Sequence, residues 1–463
     1  MINISEEQFK QKRESGKDFS VISEFRGDEV TPIKIFQGLR GRRKFIFESG
    51  SKENFFGRYS FIGENPYKEV VGNTENELRE IRQEISREFD VSCNMFSFKG
   101  GAIGYLGYDS IALYEKRLQF KNPDELSLPI IRFNFYSRYI CYDHFTHKVY
   151  VIDNVFNDES REYFQILKEQ KQYINSLLCT PHELCEEVKH MKVEFEFNTT
   201  KEEFIDNVVK AKEYIQAGDI FQVVLSQKMK CKTEKSFLEI YRRMREENPS
   251  PYMFLIDYEE YQVIGSSPER LVAVKNNVVS TNPIAGTRKR GKDEVQDKAL
   301  EKELLEDEKE LAEHVMLVDL GRNDIGKVSK IGSVEVKDFM QVEKFSHVMH
   351  ITSTVEGQLS SDEDAFSALT ACLPVGTVSG APKIRAMEII EELEKYKRGI
   401  YSGAVGYFSY GGDMDMSIAI RTLILKNKVA YLQAGAGIVY DSVPEKEFEE
   451  IQNKLMVLKE VLR

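Results

Sequence analysis

The chain has 463 residues, a formal net charge of −12, and 41% hydrophobic against 30% charged residues. It exceeds the roughly 250–300 residues at which one core stops growing, so it holds either two layered subdomains or one large composite sandwich. The acidic balance argues against nucleic-acid binding, which needs a basic footprint on phosphate, and the absence of any run of about 18 apolar residues argues against a membrane span. The start, Met1-Ile2-Asn3-Ile4-Ser5-Glu6-Glu7, lacks a basic region followed by an apolar block, so a cytoplasmic location is expected. Six cysteines lie far apart, at Cys93, Cys141, Cys179, Cys185, Cys231 and Cys372. With no C-x-x-C pair they suggest neither a zinc site nor a disulfide framework, and reduced, mostly buried thiols are expected.

Along the chain, residues up to about 150 alternate short apolar runs with Gly-rich turns, as in Phe45-Ile46-Phe47 and Gly100-Gly101-Ala102-Ile103, which reads as mostly strand. Helical periodicity takes over across 160–178. The charged, irregular stretch 180–196 reads as a linker, dividing an N-terminal region, 1–194, from a larger region, 195–463. Beyond it the pattern predicts a Thr-capped helix over 201–217, a strand over 220–228 and a helix over 237–246. One long charged helix is predicted over 292–315, a strand over 429–432 and a final helix from 444 to the end.

Several residues suit chemistry. Glu310 and Glu313 stand three apart on a predicted helix, and Glu447 and Glu450 repeat that spacing, so each pair shares a helix face. By spacing alone such pairs read first as solvated surface; facing one another, they would make a hard oxygen site suited to Mg²⁺. Arg421 offers a bidentate fork for a carboxylate, and the loop Gly435-Ala436-Gly437 is either a tight strand turn or a place where backbone N–H groups approach an anion. Glu269, in Ser267-Pro268-Glu269-Arg270, reads as a turn entering a strand. His350, isolated in the apolar string Val348-Met349-His350-Ile351, reads as a hydrogen-bonded core histidine.

Three strings in order, Gly376-Thr377-Val378-Ser379-Gly380-Ala381-Pro382-Lys383, Asp415-Met416-Ser417-Ile418-Ala419-Ile420-Arg421-Thr422 and Ala434-Gly435-Ala436-Gly437, resemble the chorismate-binding enzymes. The resemblance spans most of the chain and is densest from Asp219 onward. It implies an α/β (α+β) complex sandwich of two large, mainly antiparallel sheets with helices outside. It also implies chorismate contacts from Gly286, Thr287, Thr377, Tyr401, Arg421, Gly435, Ala436 and Gly437, with Lys454 adding positive charge. Glu313 and Glu450 become direct Mg²⁺ ligands in this reading, and Glu310 and Glu447 support them through water. Glu269 becomes the general acid that protonates the departing C4 hydroxyl, and His350 serves the elimination of pyruvate.

Within that family the chain resembles the large subunits of anthranilate synthase. Members that add water carry a lysine base where this chain has Gln222, and a glutamine cannot act as that base. Members that attack C2 covalently carry a lysine where this chain has Ala285. Both absences leave C2 open to ammonia. Asn248-Pro249-Ser250-Pro251-Tyr252-Met253 together with Glu48-Ser49 resembles the family's tryptophan feedback site, although Ile46-Phe47 stands where the family often has two leucines. The resemblance therefore implies L-tryptophan inhibition through Glu48, Ser49, Pro251, Tyr252 and Met253. None of the six cysteines has a glycine neighbour, so the cysteine nucleophile of a glutaminase is not expected here. A separate small glutamine amidotransferase subunit is the implied partner.

Overall fold

The computed structural model describes residues 2–49, 57–92, 95–178, 193–344 and 348–463. Of the predicted linker only 193–196 falls among them. Two antiparallel sheets dominate the described residues, one of 12 strands and one of 10. The larger runs from Phe19–Arg26 through Lys148–Val155, Arg138–Asp143, Tyr59–Gly63 and Phe45–Glu48. It continues without a break into Tyr252–Asp257, Gln262–Ser267, Thr422–Lys426, Val429–Ile438, Gln222–Lys232 and Gly380–Ala381. The smaller mixes Lys68–Gly72, Gly101–Leu106 and Ile131–Tyr136 with strands from beyond position 270. Each sheet thus draws on both sides of position 195, and the two regions share their cores.

Period-two alternation builds the layers. Phe45, Phe61, Phe254, Ile256 and Val263 of the larger sheet meet Ile103, Tyr105, Tyr136, Val405 and Tyr407 of the smaller in one aromatic-rich core. The intervening residues, such as Ile46, Leu255 and Ile264, face outward onto helices, among them Lys201–Gln216, Phe237–Glu247, Lys383–Leu393 and Pro444–Leu462. The smaller sheet's outer face is covered by Glu75–Ile85, Glu308–Gly326 and Ala365–Cys372. The result is the expected sandwich, with helices on both outer faces.

The helix predicted over 201–217 runs Lys201–Gln216, and Thr200 and Glu203 cap its first turn reciprocally. The predicted single helix over 292–315 is instead two, Glu294–Glu306 and Glu308–Gly326. Asp307 leaves helical geometry, and its carboxylate accepts the backbone N–H groups of Lys309 and Glu310 at 3.1 and 3.3 Å. A strong N-cap thereby interrupts a continuous helical pattern. The N-terminal region, read as mostly strand, also carries the helices Glu6–Glu14, Pro32–Gly38 and Glu75–Ile85. Cys141, Cys231 and Cys372 are buried free thiols; Cys93, Cys179 and Cys185 lie outside the described residues. Among the described residues no helix is long and apolar enough to cross a membrane.

Candidate active site

Two of the chain's passages between the sheets lie side by side. Ser267-Pro268-Glu269 leaves the larger sheet and enters the smaller at Arg270–Lys275; Ala419-Ile420-Arg421 returns from Met414–Ile418 to Thr422–Lys426. Hydrogen bonds join the crossings, from Ile418 N–H to the Glu269 carbonyl and from Ser266 N–H to the Arg421 carbonyl, both 3.1 Å. Glu269 and Arg421 are thus fixed at the seam of the sandwich. Arg421 holds a φ of +46°, a left-handed conformation unfavourable for a side chain of its size, which aims it out of the strand path. Its Nη1 donates to Asn248 Oδ1 at 3.3 Å. In the sequence Asn248 stands only in the string that resembles the regulatory site, and nothing local signals this contact across 173 positions.

Glu269 is buried, and its Oε1 accepts the Thr377 hydroxyl at 2.9 Å. Burial pushes its carboxyl up to about 7, against smaller opposing effects from Thr377, Lys454 and Arg421. It is therefore about half protonated at pH 7 and more fully so below it. Lys454, on the last helix, donates to the Gly435 carbonyl at 2.9 Å and pairs with Glu450 at 2.7 Å. Tyr401 is buried with its hydroxyl beside Gly435, where an added Cβ would lie 3.0 Å away.

The Gly435-Ala436-Gly437 segment is not the loop expected. It lies inside the strand Val429–Ile438, paired with Ser226, Leu225 and Val224 of the neighbouring strand. Its glycines act by making room. A Cβ on Gly437 would stand 2.6 Å from Gln222 Nε2, and Gln222 is buried with no hydrogen-bond partner for Oε1 among the described residues.

On the smaller sheet, Gly286 forms a bulge between Ile284–Lys289 and Val348–Gln358, with φ +66°. Only glycine adopts that geometry freely, and it turns the Gly286 carbonyl toward His350 Nδ1 at 3.0 Å. A carbonyl only accepts, so Nδ1 carries the proton and Nε2 is the basic nitrogen. Thr287 Oγ1 lies 3.0 Å from the same Nδ1. Burial lowers the His350 pKa from its ordinary 6.5, the bond to the Gly286 carbonyl raises it in part, and Arg421 lowers it further.

The helix Glu308–Gly326 packs on these two strands and carries Glu310 and Glu313; the helix Pro444–Leu462 packs on Val429–Ile438 and carries Glu447 and Glu450. Glu310 lies beside Gly286 and pairs with Arg288 at 3.3 Å. Glu313 is pushed up by burial, then by the charges of Glu310 and Glu450; Glu447 is pushed up by burial and by Glu450. The two helices therefore bring carboxylates within electrostatic reach of one another. Among the described residues no three acidic, His or Cys side chains converge on one point as a finished metal cage. The donor set is made of carboxylate oxygens alone, and it still fits a hard divalent cation that keeps waters in its shell.

Apart from these groups, Glu48 ends the strand Phe45–Glu48 opposite Met253. It is buried, and its carboxylate accepts from Tyr241 Oη and Arg245 Nε, both at 2.8 Å, and from Ser60 Oγ at 3.1 Å. The Ser49 hydroxyl next to it is buried and has no hydrogen-bond partner among the described residues. Pro251 precedes the strand Tyr252–Asp257, and the Tyr252 hydroxyl reaches away from Glu48 to Asp415 at 3.0 Å and Arg270 at 2.7 Å.

The sequence profile described as chorismate binding enzyme matches residues 42–460. The chain is 45% identical to anthranilate synthase component 1 of Acetivibrio thermocellus, covering 96% of this chain and 95% of that one. It is 43% identical to the protein of the same name from Aquifex aeolicus, covering 99% and 97%. The crystal structure of anthranilate synthase component I from Streptococcus pneumoniae superposes with a TM-score of 0.81 at 41% identity, covering 94% of this chain and 98% of that one. The menaquinone-specific isochorismate synthase of Escherichia coli shares the fold, with a TM-score of 0.75 at 19% identity and 99% of both chains covered. With a sandwich of this kind, and an acid, an arginine and a neutral histidine gathered at its seam, the chain belongs to the chorismate-binding enzyme family, where it groups with anthranilate synthase component I.

Proposed function

We propose that the chain converts chorismate and ammonia into anthranilate and pyruvate, a step toward tryptophan. The observation that carries this reading is Glu269, a buried carboxyl raised to about 7, hydrogen-bonded to Thr377 and within electrostatic reach of Arg421 and Lys454. Ammonia attacks C2, the ring double bonds shift, and the C4 hydroxyl leaves as water with the proton of Glu269. Ammonia is a nucleophile without a protein base, which suits Gln222 and Ala285 in the places where relatives use lysine. Arg421 and Lys454 offset the charge of the substrate carboxylates. In the second step the neutral Nε2 of His350 takes the C2 proton, the C3–O bond breaks, the ring becomes aromatic, and the departing enolpyruvate takes up a proton at its methylene carbon to become pyruvate.

Glu313 and Glu450, with Glu310 and Glu447 through water, would hold Mg²⁺. When bound, it supplies Lewis-acid neutralisation at the ring carboxylate. In this reading ammonia comes from glutamine through a separate amidotransferase subunit, and L-tryptophan inhibits at Glu48, Ser49, Pro251, Tyr252 and Met253. Incubation of the purified chain with chorismate, Mg²⁺ and ammonium, with and without tryptophan, tests the reading. Anthranilate and pyruvate, suppressed by tryptophan, support it; an aminated chorismate that accumulates, or isochorismate without nitrogen, refutes it.

A further inference from the structure

Behind the candidate site lies a buried ion pair that the chemistry above does not use. Arg398, 3% exposed, spends its guanidinium on three segments of the chain. Nη1 donates to the Val378 carbonyl and Nη2 to the Val224 carbonyl, both at 2.6 Å. Nε and Nη2 engage the Glu394 carboxylate at 3.0 and 2.6 Å. The same guanidinium faces the rings of Tyr108 and Tyr401 at 4.8 and 5.8 Å. Glu394 in turn accepts the backbone N–H and hydroxyl of Ser226 at 2.9 and 2.8 Å, and Ser226 stands opposite Gly435 in the sheet.

These bonds complete a sheet edge. Gly380–Ala381 pairs with Gln222 and Val223, and Val224 N–H reaches the Ser379 carbonyl at 2.9 Å. One residue on, the Gly376–Val378 turn has left the strand, and the Arg398 fork spans the gap from Val224 to Val378. Thr377, immediately before Val378, holds Glu269.

We propose that Arg398 is a positioning residue for the acid step: its fork fixes the turn that aims the Thr377 hydroxyl at Glu269. It touches neither Glu269 nor the reacting atoms. A purely stabilising role explains the arrangement poorly, because a buried ion pair adds little net stability over apolar packing. Its specific property is geometric, since a planar fork holds two carbonyls at a set separation and an ammonium does not. The proposal rests on the reading of Glu269 as the acid.

The test is Arg398→Lys, which keeps the positive charge opposite Glu394 and gives up the fork, compared with Thr377→Val and the double variant. Rates are taken with chorismate, Mg²⁺ and ammonium as functions of pH and corrected for folded fraction from thermal melts. Arg398→Lys is expected to lower kcat by roughly 10²-fold with KM for chorismate little changed. The alkaline limb of its pH profile should move to higher pH, because the Thr377 bond that favours the ionised acid is weakened. Thr377→Val should move it the same way, and the double variant no further. If Arg398→Lys does not fold, Glu394→Gln, which removes the charge that aims the fork, carries the same expectation. A wild-type rate and profile, or a loss that leaves the alkaline limb in place and adds to that of Thr377→Val, would overturn the proposal alone. No turnover by the unaltered chain would remove the functional reading and this proposal together.

Discussion

The Thr377 hydroxyl donates to Glu269 Oε1 at 2.9 Å, joining the Gly376–Val378 turn to one of the points where the chain crosses between its two sheets. Burial holds the Glu269 carboxyl near 7 rather than its ordinary 4.5. The acid is therefore loaded below pH 7 and spent above it, so turnover that depends on it should decline as pH rises through 7. The same shift bears on stability. Because the folded pKa is raised, the stability it contributes is complete below about 4.5 and is lost as pH rises through 7. Glu269→Gln should lower the rate by roughly 10²–10⁴-fold and, at pH 8, melt with up to about 3 kcal/mol more stability than the parent. Activity assays and denaturant melts at pH 5 and pH 8 check both halves.

Glu313 and Glu447 are also raised by burial and by neighbouring carboxylates, so without a cation their ionisation costs stability as pH rises through their raised pKa values. Mg²⁺ should offset that cost, by on the order of 2–3 kcal/mol at a hundredfold excess over Kd. The effect should grow between pH 5 and pH 8, since metal and protons compete for the same oxygens. Chelation should stop turnover and Mg²⁺ restore it. Glu313→Ala or Glu450→Ala should lose the melting shift and the turnover together. A Mg²⁺ response unchanged in both variants would remove the metal assignment.

His350 is kept neutral by burial, with its Nδ1 proton committed to the Gly286 carbonyl. His350→Ala should let amination proceed while pyruvate release fails, so aminated chorismate accumulates. Mass analysis of the product mixture decides this, and normal anthranilate output would contradict the assignment.

Glu48 lies on a strand apart from the acid step, bound by Tyr241, Arg245 and Ser60. Glu48→Gln should abolish inhibition by tryptophan while leaving uninhibited turnover in place. Glu48→Ala should in addition cost about 1–3 kcal/mol, because the buried Tyr241 hydroxyl loses its acceptor. Inhibition curves and thermal melts of the two variants separate these effects.

Much of this was legible in the sequence because the site residues sit in short strings whose order is itself informative. Glu269, His350 and Arg421 stand in such strings and Lys454 one turn past Glu450, and the structure brings Glu269, Arg421 and Lys454 into one electrostatic neighbourhood, with His350 within reach of the Arg421 charge. Where reading failed, nonlocal pairing decided the outcome. Gly435-Ala436-Gly437 looks like a turn by composition, yet it forms strand because Val224, Leu225 and Ser226 supply the opposing backbone. The helix break at Asp307 was present locally, as a capping residue within a charged run, and was outweighed by the surrounding periodicity. The Arg398 contacts were not legible at all. They join residues 20 and 174 positions away through backbone carbonyls, which carry no side-chain signature.

The most direct test of the account is a single incubation of the purified chain with chorismate, Mg²⁺ and ¹⁵N-labelled ammonium, followed by mass analysis. The account predicts labelled anthranilate with an equal amount of pyruvate. Unlabelled isochorismate, or labelled amine on a ring that retains its enolpyruvyl group, would contradict it.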